Sequence, residues 1–147
     1  MKTTLGIAVA LTGVFLATVA LGGPQDDIIK MRQRLMDSNG QAAKVAVGMI
    51  RGEIPFDATI AAAVVTSISH DNAVVFGLFP DGSDKGDTKA SPEIWKSKAD
   101  FKALSLKMVA DAKAAADAAA KGKDAFAQAF TAVGQNCQAC HEKYRQS

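Results

Sequence analysis

Residues 135–147 read QNCQACHEKYRQS and close the chain. Cys137 and Cys140 are the only cysteines, and His141 directly follows the second. Reading backwards, Phe126, Phe130, Val133, Cys137, Cys140, His141 and Tyr144 recur at helical spacing. They fall on one arc of about 100°, the inward face of an amphipathic helix. A helix with such a face must bury it against other elements, so the question passes to the segments before it.

Those segments also read as helices. The first runs from about Asp26 to Arg51. Ile28, Met31, Leu35, Ala42, Ala46, Met49 and Ile50 share one side of it, and Lys30, Gln33, Asp37, Gln41 and Lys44 the other. Arg32 and Asn39 are polar intrusions at the edge of the apolar side, in line with Met36 and Ala43. Gly52 and Pro55 stop this helix. Asp57 caps the second, which continues to about Val75 on a broad, less regular stripe. LFPDGSDKGDTKA, residues 78–90, is a loop by its Gly, Asp and Pro content. The third helix opens at SPEIW, with Ser91 as cap and Pro92 in the first turn, and is expected to continue unbroken to Gly122. Its inner face is Ile94, Phe101, Leu104, Met108 and Ala112. Four helices with short links predict an all-α fold, an antiparallel up-down-up-down four-helix bundle spanning residues 23–147. Met31, Met49 and Met108 are expected to pack in its core.

Residues 1–22 stand apart. Lys2 precedes an uncharged run from Leu5 to Leu21, then small residues and GGPQDD. This is the pattern of a secretory signal peptide, cleaved after Ala20 or Gly22. The alternative is a retained anchor, but the run is short for a span and diluted by Gly6, Thr12 and Gly13; membrane contact is expected only through an uncleaved signal. Export places the cysteines in an oxidising, periplasmic compartment. The formal charge of +2 falls by one when Lys2 is removed. It gives neither a nucleic-acid footprint nor a charge-matched protein partner.

Three chemistries compete for the cysteines. A redox CxxC is normally set at a helix N-terminus after a strand, whereas this pair lies in the last turns of a helix. A structural zinc site needs four ligands, and Cys137, Cys140 and His141 supply three, with His70 the remaining candidate. His70 reads more simply as an edge histidine of the second helix. The third chemistry is covalent haem c, for which CxxCH is the attachment motif. Thiols at i and i+3 face the same way and can bond the two vinyl groups of one porphyrin, with the next histidine placed to bind iron. Gly134 leaves room for a flat macrocycle. One haem c per chain, on Cys137 and Cys140 with His141 as iron ligand, is therefore the expected cofactor.

The C-terminal CxxCH followed by EKYR, together with RQRLM, IRGEIPFD, LFPDG and SPEIWKSKADF, resembles the class II cytochromes c, the cytochrome c′ family. The resemblance spans residues 26–146. It implies that the first helix supplies the distal side of the haem, with Met36 facing iron and Arg32 near a propionate. Arg32 could instead reach past the core edge to water. Arg145 lies one turn beyond His141, near the iron ligand or a propionate, or in solvent at the helix C-terminus. LMDSNG, LFPDG and SPEIW look closest to the low-spin cytochrome c-556 type, in which methionine sulfur closes the sixth position. That implies periplasmic electron transport with redox protein partners. The five-coordinate alternative leaves iron open to nitric oxide or carbon monoxide, and Met36 would then fill space. Members of the family often form a homodimer through their first two helices, although the helical wheel shows no clear exposed seam here. No enzyme is expected: no further acid–base group accompanies the motif, and the Glu and Glu-x-x-His set of di-iron bundles is missing.

Overall fold

The computed structural model describes residues 23–146; the expected signal peptide lies outside them. Four long helices form the bundle: α1 (Pro24–Arg51), α2 (Ala58–Val75), α4 (Lys98–Ala119) and α5 (Lys123–Tyr144). Between α2 and α4 come a 3₁₀ turn, Phe76–Leu78, and a four-residue helix, α3 (Glu93–Lys96). Each long helix packs on the next in the chain, and α5 closes the bundle against α1 along a much shorter contact.

The helix ends have local causes. Proline stands at the start of α1 with Asp26 and Asp27 in its first turn, and Gly52 ends it in the left-handed region at φ 76°. The Asp57 carboxylate accepts from the Ile60 N–H at 2.9 Å and caps α2. The third helix does not run unbroken from Ser91. The Ser91 hydroxyl accepts from the Glu93 N–H, but the helix breaks at Ser97, whose φ and ψ are −126° and 45°. Tertiary ties on both sides of the break account for it. The Trp95 indole donates to the Pro80 carbonyl, and Lys98 pairs with Asp81.

The main core joins Ala42, Ala46 and Met49 of α1, Ala61, Val65 and Ile68 of α2, the small-residue face of α4, and Phe126, Phe130 and Val133 of α5. Alanines on three helices let the backbones approach, and phenylalanines on the fourth fill the remaining volume. A second cluster, Ile94, Phe101 and Tyr144, sits where the chain after α2 meets the end of α5. Ala58–Leu78 is long and apolar enough to cross a membrane by length and composition alone; in the bundle it supplies Ala61, Val65 and Ile68 to the core.

Met49 and Met108 are buried as expected, but Met31 is 51% exposed. The inner side of α1 changes along its length. Near its start Ile29 and Arg32 are covered by the 79–90 loop, while further on Ala42, Ala46 and Met49 face the core. A single straight stripe drawn through Met31 misses that turn.

Candidate functional site

α5 carries its chemistry across one arc in a definite order. At one edge Asn136 is buried against α4, its amide donating to the Leu104 carbonyl (3.4 Å) and to the Asp111 carboxylate (3.2 Å). Val133, Cys137, Cys140 and Tyr144 occupy the middle. Cys137 packs on the main core and Cys140 on the second cluster. His141, Gly134 and Arg145 lie at the far edge and are exposed. His141 therefore stands beside the inward face rather than on it, because it is one residue, about 100°, beyond Cys140. No neighbouring element comes within 4 Å of where a Cβ on Gly134 would sit. His141 and Arg145, with Glu142 and Gln146, line an open cleft at this edge.

The motif is held from below by Tyr144 and Phe101, which the sequence placed on inner faces, and by Asp100 and Lys143, which it passed over. Tyr144 is buried, its hydroxyl donates to Asp100 at 2.6 Å, and its ring meets Phe101 edge-on at 5.1 Å. Lys143 donates to the same carboxylate. Beyond the helix the backbone pairs with the strand-like segment before α3: the Ser91 N–H donates to the Tyr144 carbonyl, and the Gln146 N–H to the Lys89 carbonyl. The end of α5, just beyond His141, is thus tied down by both side chains and backbone. The hydrogen bonds from Lys143 and Tyr144 lower the Asp100 pKa.

Both thiols are free and half-buried. Burial raises the pKa of Cys137, and burial followed by the neighbouring Cys137 pushes Cys140 up to about 11. A redox-active pair needs a thiolate of lowered pKa. Here burial disfavours both thiolates, the opposite of what thiol–disulfide exchange needs. A zinc site fares no better: among the described residues no three His, Cys, Asp or Glu side chains converge as a ligand set. Partial desolvation, and then the Arg145 cation, lower the pKa of His141. Both effects favour the neutral imidazole, the form that binds a metal.

Arg32 is 4% exposed. Its Nη1 donates to Ser83 Oγ at 3.3 Å and its Nη2 to the Ser83 carbonyl at 2.8 Å. The guanidinium lies over the Phe79 ring at 4.5 Å and near the Trp95 ring at 5.7 Å. It does not reach out to water. Among the described residues no carboxylate forms an ion pair with it. Burial alone lowers its pKa. A buried cation without an anion is costly, and a group that brings its own carboxylates would meet that demand. Met36, one turn further along α1, is 38% exposed and lies outside both core clusters. Ser83, Phe79 and Trp95 were not legible as parts of this cluster, because only the folded loop brings them to α1.

These features fit haem c. Two half-buried thiols share one helix face, a histidine stands beside them over open space, and an uncompensated arginine waits for carboxylates such as propionates.

Comparison with known proteins agrees in scope and kind. The family model described as "Cytochrome C'" matches residues 27–145. A cytochrome c′ of Rhodopseudomonas palustris is 34% identical over 122 residues, covering 82% of this chain and 83% of that protein. A cytochrome c-556 of Agrobacterium fabrum is 33% identical over 117 residues, covering 80% of each. Among solved structures, cytochrome c prime from Shewanella frigidimarina matches with a TM-score of 0.78 at 30% identity, over 86% of this chain and 100% of that one.

Proposed function

This chain belongs to the cytochrome c′ family, whose members bind one haem c through a C-terminal CxxCH, and from that membership we propose that it is a periplasmic electron carrier of the low-spin, c-556 type. Proteins of this family are non-enzymatic haem proteins of electron transfer or gas binding. The haem supplies a reversible one-electron couple. Cys137 and Cys140 would tether it and His141 would ligate iron from α5, with Met36 offering its thioether from α1, Arg32 holding a propionate and Arg145 beside His141. A histidine and methionine pair would suit the group to electron transfer, because neither residue need be exchanged for another ligand on reduction. Residues 1–22 would direct export and be removed.

The observation behind the Met36 role is its place: it lies one turn beyond Arg32 on α1, 38% exposed and outside both core clusters, unlike the buried Met49 and Met108. The optical spectrum tests it. A sharp reduced α-band that carbon monoxide leaves unchanged is expected, with Met36→Ala converting it to a broad, carbon-monoxide-sensitive spectrum. A wild-type protein that already binds carbon monoxide rapidly would establish the second reading, a five-coordinate gas-binding cytochrome c′. The near-equal identity to relatives of both names keeps that reading in play.

Cytochrome c′ proteins are often dimeric. A second copy would seat on α1 and α2, which carry the exposed apolar residues Met31, Ile60 and Val74. Sedimentation of wild type against Val74→Lys would show a dimer lost to the added charge.

A further inference from the structure

The Arg32 guanidinium is held by a loop that has its own ties to other elements. The Pro80 carbonyl accepts from the Trp95 indole at 2.9 Å and from the Ser83 hydroxyl at 2.8 Å. Asp81 is tied to Lys98 of α4 at 2.6 Å, and the Asp87 carbonyl accepts from Gln33 of α1 at 2.9 Å. Three elements therefore anchor the segment on both sides of Ser83. Ser83 itself is 1% exposed. From that fixed point it offers two acceptors to the guanidinium, Oγ to Nη1 and the main-chain carbonyl to Nη2. Phe79 supports the flat face of the cation. Both Nη groups are engaged end-on, which leaves the Nε–H and the outward N–H donors for another anion.

We propose that Ser83 is a positioning residue for haem electrochemistry: it fixes the Arg32 charge in place and thereby raises the reduction potential. The proposal rests on the reading that haem sits against Arg32. A fixed positive charge stabilises the reduced, less positive iron relative to the oxidised one. Its effect scales inversely with distance and with local dielectric. A cation held in place before haem binds acts at full strength, whereas a swinging one is averaged with solvent. Serine is suited to the task because its hydroxyl both receives Nη1 and locks itself to Pro80.

The test is spectroelectrochemical titration of the holoprotein as wild type, Ser83→Ala, Arg32→Gln and the double variant. Arg32→Gln is expected to move the redox equilibrium about tenfold toward the oxidised form, roughly 59 mV for a one-electron couple. Ser83→Ala should move it about threefold in the same direction, roughly 30 mV, and should do nothing further in the Arg32→Gln background. In ¹⁵N spectra of the reduced protein, Arg32 should show separate, slowly exchanging Nη signals in wild type and faster Nη exchange in Ser83→Ala, which keeps only the main-chain acceptor for Nη2. An unchanged potential in Ser83→Ala, or an equal shift in both backgrounds, overturns the proposal. If Ser83→Ala folds poorly, Arg32→Lys keeps the charge but loses the end-on grip. It should lower the potential as well, and an unchanged value overturns the proposal too. An unchanged potential in Arg32→Gln also overturns it, by removing Arg32 from the haem, and a colourless protein would instead remove the haem reading itself.

Discussion

Asn136→Asp tests how α5 is seated. In the wild type the side-chain amide donates to two acceptors, the Leu104 carbonyl and the Asp111 carboxylate, at 3.4 and 3.2 Å. Asn136 is 4% exposed. A carboxylate in its place would be an acceptor facing two acceptors. Ionised, it would meet the Asp111 charge with a repulsion of about 5 kcal/mol at an effective dielectric of about 20 and the observed 3.2 Å. Lys107, 2.7 Å from Asp111, offsets part of this. A net cost of about 3–4 kcal/mol at neutral pH remains, equivalent to a carboxyl pKa raised by roughly 2–3 units. A pKa raised in the folded state means that the native protein binds the extra proton. The variant is thus least penalised below the ordinary carboxyl pKa of about 4, and loses stability as pH rises toward 7. For a domain of this length each kcal/mol moves Tm by about 4 °C, so thermal unfolding should fall by roughly 12–16 °C at pH 7 and recover on mild acidification. Asn136→Leu should cost about 1–2 kcal/mol with no such pH dependence. An Asn136→Asp protein that melts within about 3 °C of wild type at pH 7, or whose deficit grows on acidification, would refute the hydrogen bonding that seats α5 on α4.

Other outcomes follow from the same geometry. Lys143 and Tyr144 lower the pKa of Asp100, so its contribution is present above the unfolded carboxylate value and is lost as pH falls through the folded one. Acid unfolding followed by circular dichroism should therefore cost wild type more, between about pH 5 and pH 2, than Asp100→Asn. Phe126 is fully buried, 5.7 Å from Phe130 and 5.9 Å from Phe56, at the end of α5 away from the cysteines. Phe126→Ala should cost about 3–5 kcal/mol and lower Tm by roughly 12–20 °C, with the native absorption spectrum unchanged. A spectral change in that variant would mean that the far core and the haem end are not independent.

What the sequence made legible follows from how local each signal is. The helical periodicity of Phe126 to Tyr144 is written in consecutive residues, as are the caps at Asp57 and Ser91 and the stop at Gly52, and all reappear in the structure. The CxxCH is equally local. The break at Ser97 was hidden because it is imposed from outside the segment, by Pro80 on Trp95 and Asp81 on Lys98. Met31 was assigned to the core because a wheel assumes one straight face. The 79–90 loop covers α1 from a different direction than the bundle does, and no local pattern encodes that. The same loop explains why Arg32 stood out only as an anomaly on an apolar edge. Its meaning depends on Ser83, fifty-one positions away, and on two aromatic rings reached only by folding. The edge position of His141 was within reach of the wheel, since it lies next to Cys140 rather than a full turn from it.

The central claim is that one haem is bonded to Cys137 and Cys140. The most direct measurement is the intact mass of the denatured protein, produced in cells that attach haem to CxxCH, read with a pyridine haemochrome spectrum. Thioether attachment predicts the mass of the polypeptide plus one haem, a c-type haemochrome band, and colour that acid–acetone extraction does not remove. Bare polypeptide mass, or colour lost to extraction, would contradict it.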